Sequence, residues 1–331
     1  MGDSTLQGRS TMSFIVGAYA SAPSLFLNDR TQEKIFYELL KERVKNIKGL
    51  EIPFNGEVIH IFGNDFLIKL LEDDWLNVIT AVPASFNNLK INKHFGLASD
   101  DQEGRDLALS CHRKLNDTVK EINDKKGNPC ISHVQLCSSP SFPFENVSSS
   151  EQTLISSLEE IMSWDWDGAC LTLEHCDSHS VDGTYQKGFM SIESELRIID
   201  YFSDSLLGMV LNWGRSVLEG KSPNTILNHI DLCQQKDCLK GFIFSGTSEE
   251  DPMYGSWEDQ HMPFFRKTSN LNGLENSLLT EENTSLTLEK LNEQALSYIG
   301  FKLQLLPQEK VSLEERVEIN VDAEEILINK I

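Results

Sequence analysis

A single (β/α)8 barrel is the fold class this sequence predicts, and three observations carry it. Short apolar runs alternate with helical patterns from end to end. Eight strand-then-helix units can be counted along the chain. The length, 331 residues, fits one barrel of about 250 residues with insertions. Repeated βα units demand a parallel sheet, because parallel strands need crossover connections. The rival is a doubly wound open sheet. It commonly carries a GxGxxG turn after its first strand, whereas here that turn reads GAYASAPS.

The elements follow in order. Phe14–Ala18 is the first strand, and Thr31–Asn46 is a helix with Ile35, Phe36, Leu39, Leu40 and Val44 at helical spacing. Gly49–Phe54 is the second strand and Phe66–Leu71 a short helix. Asn77–Val82 is the third strand, ended by Pro83. A long loop leads to a helix near Glu103–Asp124, stopped by Gly127, Asn128 and Pro129. Ser132–Cys137 is the fourth strand, 138–150 a Ser/Pro-rich loop, and Gln152–Trp164 a helix. Ala169–His175 and Leu207–Trp213 are the fifth and sixth strands, followed by helices Ile192–Phe202 and Asn224–Gln234. Leu239–Ser245 is the seventh strand, and a long loop runs over 246–273. Glu275–Leu279 and Leu286–Leu296 read as helical, Phe301–Leu306 as the eighth strand, and Leu313–Ile328 as the closing helix. Residues 1–11 read as a disordered extension or cloning remnant, and 12–331 as the barrel.

Composition narrows the function classes. Hydrophobic residues make up 40% of the chain, enough for a core without metal or disulfide staples. The formal net charge of −22 repels nucleic acid and anionic membranes, and no run of Lys and Arg overrides it. Glu314, Glu315, Glu318, Asp322, Glu324 and Glu325 read as the solvated face of the last helix. Seven Cys, with Cys233 and Cys238 too far apart for a CxxC pair, suit a reduced cytoplasmic protein. No apolar run reaches about 18 residues and no signal peptide is evident, so no membrane association is expected. The sequons at Asn146 and Asn283 are then chance matches. A homo-oligomer is compatible with the sequence but is not specified by it.

Barrel enzymes build their sites at the C-terminal ends of strands and in the loops that follow. This rule selects Glu51 after strand two, Gln135 on strand four, and Glu174, His175, Asp177 and His179 after strand five. Glu51 stands in an apolar strand, where a carboxylate is costly unless paired. It reads as a general base, a sugar-hydroxyl acceptor or a barrel-bottom ion pair. The segment LTLEHCDSH crowds ionisable groups at one strand end. Glu174 and His175 there suit divided acid and base roles. Glu174, His175 and Asp177 are also the ligand types of a divalent metal. A divalent ion and no cofactor at all stand as equal alternatives.

After strand six, Asn212 suits hydroxyls, Trp213 a sugar face, and Arg215 an anionic group. The plainer reading of Arg215 is an ion pair with Glu219. Ser245, Thr247 and Ser248 form a small polar turn after strand seven, suited to phosphate or hydroxyls. The loop beyond carries Tyr254, Trp257, Asp259 and His261, a pattern expected of a cover over the mouth, with His261 a catalytic candidate. Lys187, in a Gly-containing loop after strand five, is a further binding candidate. No Glu ends strand four or seven, which counts against the paired carboxylates of retaining glycosidases. No Lys sits inside strand six for a Schiff base, and no GxSxG or Walker motif occurs.

The blocks LEIPF, LTLEHCD, LNWGRSVLEGKSP, FSGTS and YGSWEDQHMPF, in that order, resemble the domain-of-unknown-function family 4862 from about Met12 to Leu306. The resemblance implies a barrel similar to xylose-isomerase-like sugar isomerases and epimerases, without supplying a reaction. In such barrels the Glu ending strand five is a metal ligand and base, the place Glu174 holds. The companion ligands would be acidic on strand six, His on strand seven and acidic on strand eight. Here those places read Asn212, Ser245 and Gln304. The expected function is isomerisation or epimerisation of a sugar or sugar derivative by acid–base chemistry at the C-terminal face. A non-catalytic sugar-binding barrel and a metal-assisted hydrolase are the alternatives.

Overall fold

The structure is a computed structural model that describes residues 14–141, 146–179, 185–202, 207–266, 274–291 and 296–330. Eight parallel strands close a barrel in chain order: β1 (Phe14–Val16), β2 (Ile47–Pro53), β3 (Asn77–Thr80), β4 (Ile131–Leu136), β5 (Cys170–Glu174), β6 (Gly208–Asn212), β7 (Leu239–Phe244) and β8 (Tyr298–Phe301). Closure is made by β8 pairing with β1, Ile15 opposite Gly300. The helices lie outside: α1 (Arg30–Arg43), α2 (Asn64–Ile68), α3 (Val82–Leu89), α4 (Gln102–Lys126), α5 (Glu151–Met162), α6 (Ile192–Tyr201), α7 (Trp213–Gly220), α8 (Asn224–Gln234), α9 (Glu281–Leu291) and α10 (Leu313–Ile328). None is long and apolar enough to cross a membrane.

Strand alternation sorts the side chains into two cores. One residue set, including Val16, Leu50, Ile52, Leu173, Leu211, Phe242 and Phe301, faces outward and packs with the helices into the main apolar cluster. The intervening set, Ile15, Val78, Val210, Ile243 and Tyr298, forms a separate small cluster that fills the barrel. Further along the same inward phase come Glu51, Thr80, Gln135, Glu174, Asn212, Ser245 and Lys302. All are buried, so the rim above the apolar plug is polar. This phase rule is what separates Glu174, which faces in, from His175, which faces out.

Caps place the helices. Asp29 accepts from the backbone N–H groups of Thr31 and Gln32 to start α1, and Ser312 and Glu315 form a capping box on α10. Asn212 ends β6 and caps α7 through its side chain, so strand runs into helix without a loop.

Four elements differ from the sequence reading. The eighth strand is Tyr298–Phe301, not Phe301–Leu306. Gly300 looks like a strand breaker, but a Cβ there would lie 2.3 Å from the Ile15 backbone oxygen and 2.9 Å from Ile243 Cδ1. The barrel interior requires its absence. Helix α7 occupies the segment read as turn, where Gly214 marks a close approach. A Cβ there would sit 2.4 Å from the Ser245 carbonyl oxygen. Glu275–Leu279 is turn and bridge rather than helix, with Ser277 bridging Ser248. Helix α3, inside the loop expected after strand three, starts with Pro83 in its first turn, a position where proline needs no hydrogen-bond partner. The reading of residues 1–11 as an extension lies outside the described residues, as do 267–273 of the loop after β7.

Candidate active site

Two cationic side chains stand at the barrel mouth, each on a carboxylate from a strand end. Lys302 Nζ donates to Glu51 Oε1 at 2.8 Å, and Tyr19 Oη donates to the same oxygen at 3.0 Å. The other Glu51 oxygen, Oε2, is buried without a partner. Burial alone would lower the Lys302 pKa, but the Glu51 carboxylate, with Glu174 adding to it, outweighs burial and holds the ammonium above its ordinary value. Burial likewise holds the Tyr19 phenol above its ordinary value.

Arg215, in the first turn of α7, donates through Nη1 to Glu174 Oε1 and through Nε to Asp259 Oδ2 at 3.1 Å. Thr80 Oγ1 donates to Glu174 Oε2 at 3.1 Å. Lys187 Nζ reaches Asp259 Oδ2 at 2.5 Å. Burial would lift the Asp259 carboxyl, but Lys187, Arg215 and His261 hold it well below the usual carboxylate range. His261 Nδ1 lies 2.8 Å from Ser245 Oγ and 3.3 Å from Asp259 Oδ1. Burial, with help from the Lys302 and Arg215 charges, pushes the imidazole down to about 3, so it is neutral at pH 7. Trp257 and His261 both hold φ at +54°, a left-handed conformation that costs a non-glycine residue energy and clusters at functional sites.

The structure thus brings Glu51, Glu174, Arg215, Asp259, His261, Ser245 and Lys187 to one end of the barrel. Asn212 joins them as the cap of α7. Its Oδ1 accepts from the Arg215 backbone N–H at 3.3 Å, while its Nδ2 is buried and unpaired. Gln135 donates to Tyr298 Oη at 2.9 Å and keeps an unpaired Oε1. Two acceptors and one donor are therefore left unsatisfied on inward positions of β2, β4 and β6. Buried polar groups without partners are rare and call for a ligand or water. A hollow of about 550 Å³ lined by Phe264, Leu279 and Ile326 lies beside α9 and α10, remote from these groups.

Other candidates are placed elsewhere. Trp213 is fully buried in the main core, its indole N–H on Thr287 Oγ1 at 3.1 Å, so no face is open for a sugar. Thr247 is spent on the Glu258 carbonyl at 3.0 Å, and Trp257 packs against the main core. Asp177 Oδ2 accepts from the backbone N–H groups of Gln186 and Lys187 at 2.6 and 2.7 Å, fixing the loop that delivers Lys187. His175 lies behind β5. Its Nδ1 is 2.6 Å from Glu195 Oε2 and its Nε2 3.1 Å from Glu219 Oε2. Burial opposes its charge, yet the two carboxylates raise its pKa to about 10. Glu174, His175 and Asp177 therefore do not converge on one metal. The expected Arg215–Glu219 pair is replaced by Arg215–Glu174 and His175–Glu219.

The strand-eight correction matters most here. The place opposite a fourth metal ligand is Lys302, not Gln304, whose backbone N–H serves the His261 carbonyl at 2.8 Å. A divalent ion does not fit this donor set. Glu174 is committed to Arg215 and Thr80, Asn212 caps a helix, and Lys302 presents an ammonium that repels cations. Lys302, Tyr19 and Thr80 are the mouth residues that sequence reasoning missed. The available signal was a single Lys inside the apolar run IGFKLQLL.

Comparison with known proteins follows the same line. D-allulose 3-epimerase from Methylomonas sp. superposes with a TM-score of 0.58 at 12% identity, over 97% of this chain and 98% of that one. L-ribulose 3-epimerase gives 0.56 at 12% over 96% and 95%. The IOLI protein, solved with bound zinc, gives 0.58 at 12% over 97% and 99%. At such identities these likenesses show the barrel fold alone. An uncharacterised protein of Salmonella typhimurium is 30% identical over 296 residues, 89% of this chain and 90% of that one. The profile of the domain of unknown function DUF4862 matches residues 15–319. The chain belongs to the DUF4862 family.

Proposed function

We propose that this protein isomerises or epimerises a small sugar or sugar derivative by metal-independent acid–base chemistry at the barrel mouth. The observation that carries the reading is Glu51, buried with one carboxylate oxygen on Lys302 and the other free. A positioned base beside a fixed cation is what proton abstraction next to a carbonyl needs. Glu51 takes the proton, the C–H electron pair moves into the adjoining C–C bond, and the carbonyl oxygen gains charge. Lys302 and Arg215 stabilise that oxygen, in a site where water is excluded and fixed charges act strongly. A proton delivered from solvent to the opposite face of the same carbon, while Glu51 keeps the first, inverts it; for the isomer, Glu51 returns its proton to the former carbonyl carbon as the proton of the neighbouring hydroxyl passes to the former carbonyl oxygen. The unpaired Asn212 Nδ2 and Gln135 Oε1 supply a donor and an acceptor for hydroxyls.

The likeness to sugar epimerases supports the substrate class at the level of fold only. A second reading, a non-catalytic sugar-binding barrel, is favoured by one observation: most charges at the mouth already neutralise one another. Incubation with aldoses, ketoses and sugar acids in D2O separates the two. Carbon-bound deuterium detected by NMR, lost about 100-fold or more in Glu51→Gln, is the expected result. Binding without exchange would move the conclusion to the second reading.

A further inference from the structure

The sequence of β5 places Glu174 and His175 side by side, and strand alternation sends them to opposite faces. Behind the wall, His175 meets α6, α7 and α8. Its Nε2, the Glu219 carboxylate and a ring nitrogen of His229 all lie within 4.8 Å of one another. Glu219 Oε2 is 3.1 Å from His175 Nε2, and Glu219 Oε1 is 3.7 Å from His229 Nε2. The two rings stand edge to face, with centroids 5.0 Å apart.

The outer nitrogens are both committed. His175 Nδ1 lies 2.6 Å from Glu195 Oε2, and Glu195 is itself anchored by the Ser138 hydroxyl at 2.6 Å. His229 Nδ1 lies 3.0 Å from Ser216 Oγ. A carboxylate or hydroxyl on the far nitrogen is how metal-ligating imidazoles are oriented. Both inner nitrogens are thereby aimed at the same carboxylate. The Ser178 backbone N–H donates to Glu219 Oε2 at 2.7 Å and fixes its direction.

We propose that His175, Glu219 and His229 form a binding site for a first-row divalent transition ion of the zinc type. Two imidazoles and one carboxylate are borderline donors that suit such ions and not magnesium or calcium. Around a tetrahedral ion with bonds of about 2.0–2.2 Å, ligand atoms sit roughly 3.4 Å apart, so only a small contraction of the present cluster is needed. The His175 and His229 side chains are buried and that of Glu219 is 18% exposed, so entry and a fourth, water-filled position lie on the Glu219 side. The ion would join β5 to α7 and α8. Helix α7 carries Arg215 in its first turn and Glu219 near its end, so loading would stiffen the helix that holds the mouth cation. The site is separate from the mouth, and the two proposals stand or fall independently.

The test uses the full chain, stripped with chelator, dialysed against zinc sulfate and then against metal-free buffer. Elemental analysis should find one zinc per chain in the wild type and in the mouth variant Glu174→Gln. Calorimetric zinc affinity should fall in His229→Gln by more than the about 10–100-fold expected for loss of an outer-shell partner. Ser216→Ala, which leaves all three ligands in place, should lose about tenfold and serves if His229→Gln fails to fold. Cobalt loading should give visible d–d bands in the wild type. Wild-type protein that takes up neither zinc nor cobalt overturns the proposal. So does stoichiometric zinc that survives His229→Gln or leaves with Glu174→Gln.

Discussion

Lys302 and Glu51 meet at the barrel mouth, Nζ 2.8 Å from Oε1, although Lys302 directly follows β8 and Glu51 lies in β2, with β1 between those strands. Their 251-residue separation in sequence makes the pair a tertiary clasp on the closing seam of the barrel. Breaking a buried pair from one side leaves an unpaired charge, at a cost of about 3–5 kcal/mol. Lys302→Met should therefore destabilise by about that amount in denaturant unfolding. The double variant Glu51→Gln/Lys302→Met should recover at least about half of the loss. A single variant costing under about 1 kcal/mol would show that the ammonium is not held in a dry site.

Arg215 joins Glu174 to Asp259 through two different nitrogens, a geometry that a lysine cannot copy. Arg215→Lys should fold, because a cation is kept beside Glu174. Deuterium exchange into substrate should nonetheless fall about tenfold or more, with the loss in kcat rather than KM if the guanidinium acts on the charged intermediate. An unchanged rate would remove Arg215 from the chemistry.

Stability should fall on the acid side, and His112 provides a clean case. Burial pushes its imidazole down to about 4, while its Nδ1 pairs with the Ala108 carbonyl oxygen at 2.7 Å and its Nε2 has no partner. The depressed group is neutral in both states above pH 6.5 and contributes no pH dependence there. As pH falls from 6.5 towards 4, the unfolded chain takes up a proton that the folded chain refuses, so stability is lost across that window and levels below it. The shift corresponds to roughly 3 kcal/mol at most. His112→Gln keeps a donor for Ala108 and cannot titrate. Its denaturant midpoint should drop less than the wild type's between pH 7 and 4.5, and an equal drop would refute the assignment.

Much of the fold was legible because the apolar periodicity changes sharply between strand and helix. Strand five, for example, follows from CLTLE between the amphipathic stretches Gln152–Trp164 and Ile192–Phe202. The mouth was legible where a polar residue ended an apolar run, as Glu174 and Asn212 do, or stood inside one, as Glu51 does. Strand phase was harder to read. Which neighbour of the Glu174–His175 pair faces inward depends on where the strand starts in the sheet. Lys302 was hidden for the same reason, because the eighth strand was started at Phe301, where it actually ends. Gly300 and Gly214 look like punctuation in sequence and turn out to be close approaches, a distinction only tertiary contacts make. Partners such as Glu195 and His229 carry no local signal, since they reach His175 from helices distant in sequence.

Lys187 and Asp259 form an ion pair at the mouth whose two halves are held in different ways. Lys187 comes from a loop whose backbone is fixed by Asp177, whereas Asp259 comes from the loop after β7 and is held by Lys187 and Arg215 side chains. Glu51 and Glu174 are essentially inaccessible, and a ligand is expected to reach them by parting Lys187 from Asp259. Lys187→Met should therefore release one half only. Amide hydrogen exchange over 256–262 should quicken by about tenfold, equivalent to roughly 1.4 kcal/mol of local opening. The amides of Gln186 and Lys187, bonded to Asp177, should keep their protection. Arg215 still holds Asp259, so global unfolding should change much less than local exchange. Equal quickening in both loops would mean that they open as one unit, and no change in either would mean that the ion pair does not close the mouth.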